Sequence, residues 1–488
     1  MAADVLVFAL WTALYVGLTL RHVPWRDEFQ SWLVSTTTTT LASFFDGVRY
    51  ERHPPLFYIF QRMFHALPYA SELDPLLSIR LISGFFSVLV TGLWIFCFDT
   101  PWWFRYSVPF SLPMLREYSV ISSRYPAGIA FLLLGALAQR SGRVVLYWVA
   151  LLFAGAVHAL FTVMAGALFV MSLWDARHEL RQRRLTHGAW ALVVALGFLA
   201  LVIFQLPPAH SQIPARPRVG DLVTHGLTII AFGVTAIEAG GDPYGWNDNP
   251  WTNLSAIPFL LAMFGLAVYC RFPWVWLAIV LAPVVGILGG IYNNGLRGAG
   301  FILVGLIIVA LVDGKPLTGR KSCFLLVPIC VTLVATGIWI AKWKPWADPP
   351  AFDFSGSGEL VKAMGPELRR PDSVLFVDND GFFAVMGQLN IPVFDVSRDR
   401  MVYYPYFNVR YVLNALERWC AANRERIEDR YPDRTLWIGL WSGETPPATC
   451  GCAVRVFQTQ RPVVEEPFAL FRWRPRAQHC EGSRPRPS

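Results

Sequence analysis

The chain has 488 residues, of which 54% are hydrophobic and only 16% are charged. This balance excludes an ordinary soluble protein of about three domains and predicts a polytopic membrane protein. The formal net charge of +8 comes from basic residues scattered through short loops and a tail. Such a distribution does not indicate a nucleic-acid partner, and instead suits topology signals and contacts with anionic membrane lipids.

The first apolar run, residues 4–20, is predicted to be a retained helix. It has no basic region before it and no small-residue cleavage site after it, so it does not resemble a removed signal peptide. The first large loop follows at residues 21–76. Within it, residues 57–67 carry apolar side chains at helical spacing, which predicts a helix lying on the bilayer surface.

Ten further apolar runs complete a prediction of about eleven transmembrane helices. Several are shorter than the roughly 20 residues that a perpendicular span needs. The stretch 144–174 is open to two interpretations, one long tilted helix or two short ones. A second large outside loop is predicted at 207–252, where it could cap a site. The runs lie at 77–98, 103–121, 126–139, 144–157, 159–174, 188–206, 253–270, 273–291, 298–312 and 322–341.

Basic residues favour one orientation of these spans. If the N-terminus is cytoplasmic, the even-numbered connections hold basic residues in short loops, among them Arg105, Arg140 and Arg177. The positive-inside rule supports this arrangement. It places the first loop and the C-terminal region on the periplasmic or extracellular side of the cell's inner (plasma) membrane.

Residues 342–488 form a second predicted unit, a small α/β domain outside the membrane. Four cysteines in this region predict two disulfides in an oxidising compartment, with all three pairings open. Their spacing is not that of a zinc site. Helices are predicted at 359–370 and 409–427, and strands at 373–377, 392–394, 435–440 and 453–457.

An acidic pair, Asp27 and Glu28, lies only a few residues after the first span. An aspartate at the membrane edge, with an ordinary pKa of about 4, is ionised near neutral pH and can accept a proton from a hydroxyl or amine. Glu28 would then hold the acceptor. The alternative interpretation is that the pair only solvates a helix end.

Basic and aromatic residues recur in the outside connections. Arg52 and His53 precede a rigid Pro-Pro turn, Arg124 and Tyr125 precede the fourth span, and Arg297 follows later. The planar guanidinium fork can donate two parallel hydrogen bonds to a phosphate, and His53 could add positive charge. Taken singly, each arginine could equally be an ordinary side chain snorkelling at a span end.

The order of these features resembles the GT-C superfamily of glycosyltransferases. The similarity consists of the acidic pair, the His-Pro-Pro-Leu-Phe-Tyr segment from His53, Arg124-Tyr125, and the late Leu-Arg-Gly-Ala-Gly-Phe segment around Arg297. The resemblance lies in the order of the features along the chain and extends over roughly residues 1–340. The branch with the nearest pattern comprises bacterial relatives of protein O-mannosyltransferases and of lipid A aminoarabinose and galacturonic acid transferases.

The resemblance implies transfer of a sugar from a polyprenyl-phosphate donor to a lipid, glycan or protein acceptor, with inversion at the anomeric carbon. It implies that Asp27 is the catalytic base and that Glu28 assists it. His53, Arg124 and Arg297 match donor phosphate-binding positions, to which Arg52 and Tyr125 are added as neighbours. No cofactor is required and no metal ligand is assigned, although a divalent cation stays open because some members of the superfamily hold one. Phe29-Gln30 departs from the aminoarabinose-transferase pattern, so the sugar is not identified.

Two other functions compete with this interpretation. A transporter or flippase for lipid-linked sugars would use the same arginines to carry a phosphate, but it would favour charges in mid-span or an internal repeat. Here the charges gather at the ends of spans and no repeat is evident. An assembly or scaffold protein anchored by its membrane part ranks third, because eleven spans exceed what an anchor needs.

Overall fold

The computed structural model describes most of the first 206 residues and most of the C-terminal region. The described residues are 1–24, 26–51, 53–111, 113–121, 124–182, 185–206, seven positions within 301–312, 355–377, 382–396, 399–403, 415–441, 444–459 and 468–474. The N-terminal part is helical, and the C-terminal part carries a six-stranded sheet. The boundary predicted at 341 and the loop predicted at 207–252 lie outside these residues.

Ten α-helices and one π-helix are described before residue 207. The π-helix spans Pro113–Val120. The α-helices are α1 Ala2–Arg21, α2 Arg26–Thr37, α3 Leu41–Tyr50, α4 Leu56–His65, α5 Pro75–Cys97, α6 Trp102–Ser107, α7 Tyr125–Arg140, α8 Val144–Gly155, α9 Ala159–Gln182 and α10 Leu185–Gln205.

Four described helices are long and apolar enough to cross a membrane: α1, α5, most of α9 and most of α10. The π-helix and α7 together would make a fifth span, bent by 111°. These helices fit the predicted helical membrane protein. The runs predicted at 253–270, 273–291 and 322–341, and most of 298–312, lie outside the described residues.

The span predicted at 103–121 is wrong as a single helix. The segment divides into the short helix α6, a turn, and the π-helix. Pro109 and Pro113 explain the break, because a proline lacks a backbone N–H and clashes with the preceding turn of a helix. The stretch 144–174 is two helices, α8 and α9, separated at residues 156–158.

Residues 21–76 form a helical layer with short connections. Thr40 caps α3, because its hydroxyl accepts the Ser43 N–H while the Ser43 hydroxyl accepts the Thr40 N–H. The predicted amphipathic segment at 57–67 corresponds to α4. The central helix of the layer is α2, in which every residue from 28 to 35 is buried.

The two ends of α1 are marked by different polar contacts. Near its start, the Asp4 carboxylate lies 3.3 Å from the Arg105 guanidinium and accepts a hydrogen bond from Tyr106. Near its end, Arg80 at the start of α5 donates to the His22 carbonyl oxygen at 2.8 Å. Because α1 and α5 are antiparallel, Arg105 lies at the opposite end of α1 from the acidic pair. Which side of the membrane each end faces stays a prediction.

The C-terminal domain is built on a mixed sheet of order β3-β2-β1-β4-β6-β5. β1 is parallel to β2 and β4, and the other neighbours are antiparallel. The predicted strands and first helix are confirmed to within a few residues, whereas β3, β6 and α12 were not predicted. The strands are β1 Ser373–Val377, β2 Val393–Asp395, β3 Arg400–Val402, β4 Thr435–Trp441, β5 Cys452–Gln458 and β6 Phe468–Arg474, and the helices are α11 Ser357–Leu368, α12 Phe383–Leu389 and α13 Ala415–Arg430.

The two faces of this sheet belong to different cores. Along β1, Val374 and Phe376 join the cluster beneath α13, whereas Leu375 and Val377 join the cluster that continues into the N-terminal helices. This alternation follows the two-residue period of a strand. The C-terminal domain therefore shares a hydrophobic core with the helical part.

A disulfide joins Cys420 in α13 to Cys450. Cys452 is also disulfide-bonded, and Cys480 lies outside the described residues. Of the three pairings left open by the sequence, only the one that pairs Cys452 with Cys480 contains the Cys420–Cys450 bond.

We expect Gly128→Ala to lower the stability of the protein. A Cβ atom at Gly128 in α7 would lie 2.3 Å from the ring of Phe161, which is fully buried in α9. Overpacking of this kind typically costs about 1–3 kcal/mol. Gly166→Ala is the matched control, because a Cβ atom there meets nothing within 4 Å. Thermal unfolding in detergent measures both, and equal midpoints would contradict the close approach of α7 and α9.

Candidate active site

The acidic pair occupies the first turn of α2. Carboxylates are stabilised there by the positive end of the helix dipole. The two side chains differ in environment, since Asp27 is half-buried and Glu28 is only 1% exposed. Asp27 is therefore the member of the pair with access to a ligand.

Glu28 is held by residues that sequence reasoning missed. Its Oε2 atom lies 2.8 Å from His22 Nε2. Arg80, whose guanidinium hydrogen-bonds the His22 carbonyl oxygen, lies within electrostatic range of Glu28. A buried carboxylate requires such compensation. The structure thus gives Glu28 a fixed orientation, and its predicted role in assisting Asp27 stays a prediction.

Arg124 lies at the break between the π-helix and α7 and is 8% exposed. Its Nη1 atom donates to the Tyr58 hydroxyl oxygen at 2.8 Å. Tyr58 belongs to α4, directly after the Pro-Pro turn. The structure therefore unites two sequence features, the Arg-Tyr pair and the His-Pro-Pro segment, which are some 70 residues apart in the chain.

The environment of Tyr58 also contains negative charge. Burial is the main cause that raises the pKa of Tyr58, Glu51 and Asp27 raise it further, and Arg124 opposes them. Glu51 is buried and accepts a hydrogen bond from the Gln30 side-chain amide. Tyr58 is thus hydrogen-bonded to one guanidinium and lies within electrostatic range of two carboxylates, and it stays protonated at neutral pH.

His53 belongs to a column of four rings. Its ring centroid lies 4.6 Å from that of His158, which lies 4.8 Å from Tyr125, and Tyr125 stacks on Tyr118 at 5.0 Å. His158 is buried at the break between α8 and α9, and its Nδ1 atom accepts the Leu160 N–H at 3.2 Å. That acceptor role leaves the ring proton of a neutral His158 on Nε2.

A backbone hydrogen bond joins the Pro-Pro turn before α4 to the turn between α8 and α9. The Leu56 N–H donates to the Ala156 carbonyl oxygen at 3.0 Å. The turn between α8 and α9 therefore supports the Pro-Pro turn through the backbone as well as through the stacked rings.

His53 is neutral at neutral pH. Although part of the residue is accessible to solvent, burial by the surrounding protein holds the pKa of His53 well below the usual value. The charge of Arg124 lowers this pKa further, and so does His158 when it is protonated. His53 is therefore suited to hydrogen bonding and not to the cationic role expected from the sequence. Arg124 supplies the positive charge among the described candidates.

The remaining predicted site residues, Arg52 and Arg297, lie outside the described residues. Several residues beside the described site were not predicted, namely His22, Glu51, Arg80 and His158. Two of these carried a signal, because Arg80 and His158 are ionisable residues inside apolar runs. Across the described ranges, no group of three or more His, Cys, Asp or Glu side chains is placed to hold a metal ion.

No protein-family model matches this chain, and no curated protein matches it either. What the site does must therefore be inferred from its own geometry and chemistry.

We expect His53 to make the protein less stable in acid. Below the usual pKa of about 6.5 the unfolded chain takes up a proton at His53, whereas the folded protein does not until a much lower pH. Stability therefore falls as the pH falls below 6.5, by at most about 1.4 kcal/mol per pH unit from this group. His53→Phe keeps a ring and removes the titration, so its unfolding midpoint should depend less on pH between 5 and 7. Parallel profiles for the two proteins would contradict the depressed pKa.

Proposed function

We propose that the protein is an integral-membrane inverting glycosyltransferase. It would transfer a sugar from a polyprenyl-phosphate carrier to a lipid, glycan or protein acceptor on the non-cytoplasmic side. The observation that carries the proposal is that Tyr58 accepts a hydrogen bond from Arg124 and lies within electrostatic range of Asp27. A base and a phosphate-binding cation are the two groups that such a transfer needs in one place.

Asp27 is the general base of this proposal. It lies in the first turn of α2 and keeps access to solvent, so an acceptor hydroxyl can approach its carboxylate. The carboxylate removes the hydroxyl proton as the acceptor oxygen forms a bond to the anomeric carbon. Attack from the face opposite the phosphate inverts the configuration, as in inverting carbohydrate enzymes.

Arg124 stabilises the leaving group. The bond between the anomeric carbon and the phosphate oxygen breaks, and negative charge develops on the polyprenyl phosphate. Arg124 is buried and held by Tyr58, so its guanidinium is oriented before the reaction begins. The neutral His53 ring can add a hydrogen bond without adding charge.

Tyr58 connects the two halves of the site. Its oxygen accepts from Arg124 while its own proton is retained, because its pKa is raised. The phenol can therefore donate one hydrogen bond towards the carboxylates or the sugar.

A transporter for lipid-linked sugars is the second candidate. It is favoured by the 111° bend between the π-helix and α7, with Arg124 at the break, because broken helices often form the anion sites of transporters. The feature that favours the enzyme is the partly exposed carboxylate of Asp27, which lies within electrostatic range of the Tyr58 phenol that binds Arg124.

The first test is transfer from a panel of radiolabelled polyprenyl-phosphate sugars to membrane lipids by purified protein in liposomes. We expect Asp27→Asn to reduce the rate by about a hundredfold to ten-thousandfold, as for loss of a general base. Asp46→Asn is the matched control, because Asp46 is an exposed aspartate of the same layer. Thermal unfolding of both variants confirms that they fold.

The outcomes separate the two candidate functions. Loss of transfer in a folded Asp27→Asn variant, with Asp46→Asn unaffected, supports the enzyme. Unchanged transfer in Asp27→Asn removes Asp27 from the base role. If the wild-type protein transfers no sugar but moves the labelled donor across the liposome membrane, the transporter replaces the enzyme.

We expect Arg124→Lys to reduce kcat on the order of a hundredfold, because a single ammonium group cannot reproduce the guanidinium fork on the leaving phosphate. Arg49→Lys, at an exposed position in the last turn of α3, is the control and should leave kcat unchanged. Equal kcat values for the two variants would exclude Arg124 from leaving-group stabilisation.

A further inference from the structure

The C-terminal domain touches the helix that carries the acidic pair. Helix α12 packs directly against α2, and Phe29, next to Glu28, is fully buried in this contact. A Cβ atom at Gly387 of α12 would lie 2.1 Å from Cδ1 of the Phe29 ring. Only glycine fits at this position without displacing α2 or α12.

A second contact holds the residues that lead into α2. The hydroxyl of Ser357, which is fully buried at the start of α11, donates to the Pro24 carbonyl oxygen at 3.1 Å. The Gln388 side chain of α12 donates to the same hydroxyl at 2.9 Å. The two helices of the C-terminal domain are thus connected to each other at the point where they hold the chain before Asp27.

The sheet behind these helices reinforces the contact. Leu375 and Val377 of β1, together with Phe383 and Met386 of α12, belong to the same buried cluster as Phe29. The contact is therefore an extension of the protein core and not a loose association of two domains. A movement of α12 has to be transmitted to α2, because close-packed interiors transmit strain.

We propose that the C-terminal domain is a positioning element of the active site, with Gly387 and Ser357 as its positioning residues. They fix the position and rotation of the first turn of α2, and so the direction of the Asp27 carboxylate. The inference rests on the proposed role of Asp27 as base. The contact between α12 and α2 is observed in the structure and does not depend on that role. A misplacement of a catalytic group by about 1 Å can cost on the order of a hundredfold in rate.

The central variant is Gly387→Leu, which places a side chain where the Phe29 ring lies. We expect kcat to fall on the order of a hundredfold, while KM for the donor changes little because Arg124 and Tyr58 lie on other elements. Adding Phe29→Ala opens the space that the new side chain needs, and we expect the double variant to recover most of the lost kcat. Recovery in the double variant would show that the loss of kcat comes from the clash with the Phe29 ring.

A matched control perturbs the same domain on its other face. The Cys420–Cys450 disulfide lies beneath α13, in the core that does not contain Phe29. Replacing both cysteines by serine should lower the unfolding midpoint and leave kcat unchanged. Loss of kcat in this control equal to that in Gly387→Leu would overturn a specific positioning role.

The contact can be tested without any assay of sugar transfer. The Gly387 Cβ position lies 2.9 Å from Phe29 Cβ, closer than the roughly 3.5–4.5 Å found in disulfides, so a small separation of α2 and α12 allows the bond to form. We expect Phe29→Cys with Gly387→Cys to form a disulfide, detected by mass spectrometry of the linked peptides. Absence of that link under oxidising conditions would overturn the contact.

Hydrogen exchange separates failure of this inference from failure of the proposed function. In Gly387→Leu we expect faster exchange at residues 22–37, restored in the double variant with Phe29→Ala. If the wild-type protein transfers no sugar, the proposed function fails, and the exchange result alone decides whether the domain positions α2. Unchanged exchange and unchanged kcat in Gly387→Leu would overturn the inference.

Discussion

The rest of the structure depends on the enclosure of α2, a polar helix buried on every side. Eight consecutive residues of this helix, 28–35, are buried, although many of them are polar. A buried polar group costs free energy unless it is hydrogen-bonded, so each one must find a partner within the protein. Gln30 reaches Glu51, and Ser31 and Ser35 share the Gln61 side chain of α4. The neighbouring helices therefore serve as the hydrogen-bond partners of α2 as well as its packing surface.

This constraint also separates the two acidic residues. Glu28 points into the protein and is bound by His22, whereas Asp27, one position earlier, lies at the edge of the enclosure. Adjacent positions on a helix differ by about 100° in direction, so one carboxylate can be structural while its neighbour faces a ligand. The division of roles proposed for the pair follows from this geometry.

Breaks in the helices bring the opposite charge to the same place. Arg124 lies where the π-helix meets α7, and His158 lies where α8 meets α9. Helix breaks expose backbone groups and allow polar side chains to gather at the end of an apolar bundle, where π-helices often mark functional sites. The C-terminal domain adds to this enclosure, because α12 packs against α2 where Phe29 meets Gly387.

The sequence by itself determined the apolar helices, the acidic pair, and most strands of the C-terminal domain. Those features follow from local composition and from hydrophobic periods of two or 3.6 residues. Both can be recognised in a short stretch of sequence without knowledge of the rest of the chain. The Arg124–Tyr58 bond, the stacking of His53 on His158 and the contact of Phe29 with Gly387 were decided only by the tertiary structure. Each joins residues that are distant in the chain, and no local pattern specifies which distant partner a buried side chain meets. The wrong prediction at 103–121 has a local cause, because hydrophobicity alone did not take account of the two prolines, Pro109 and Pro113, that break the segment.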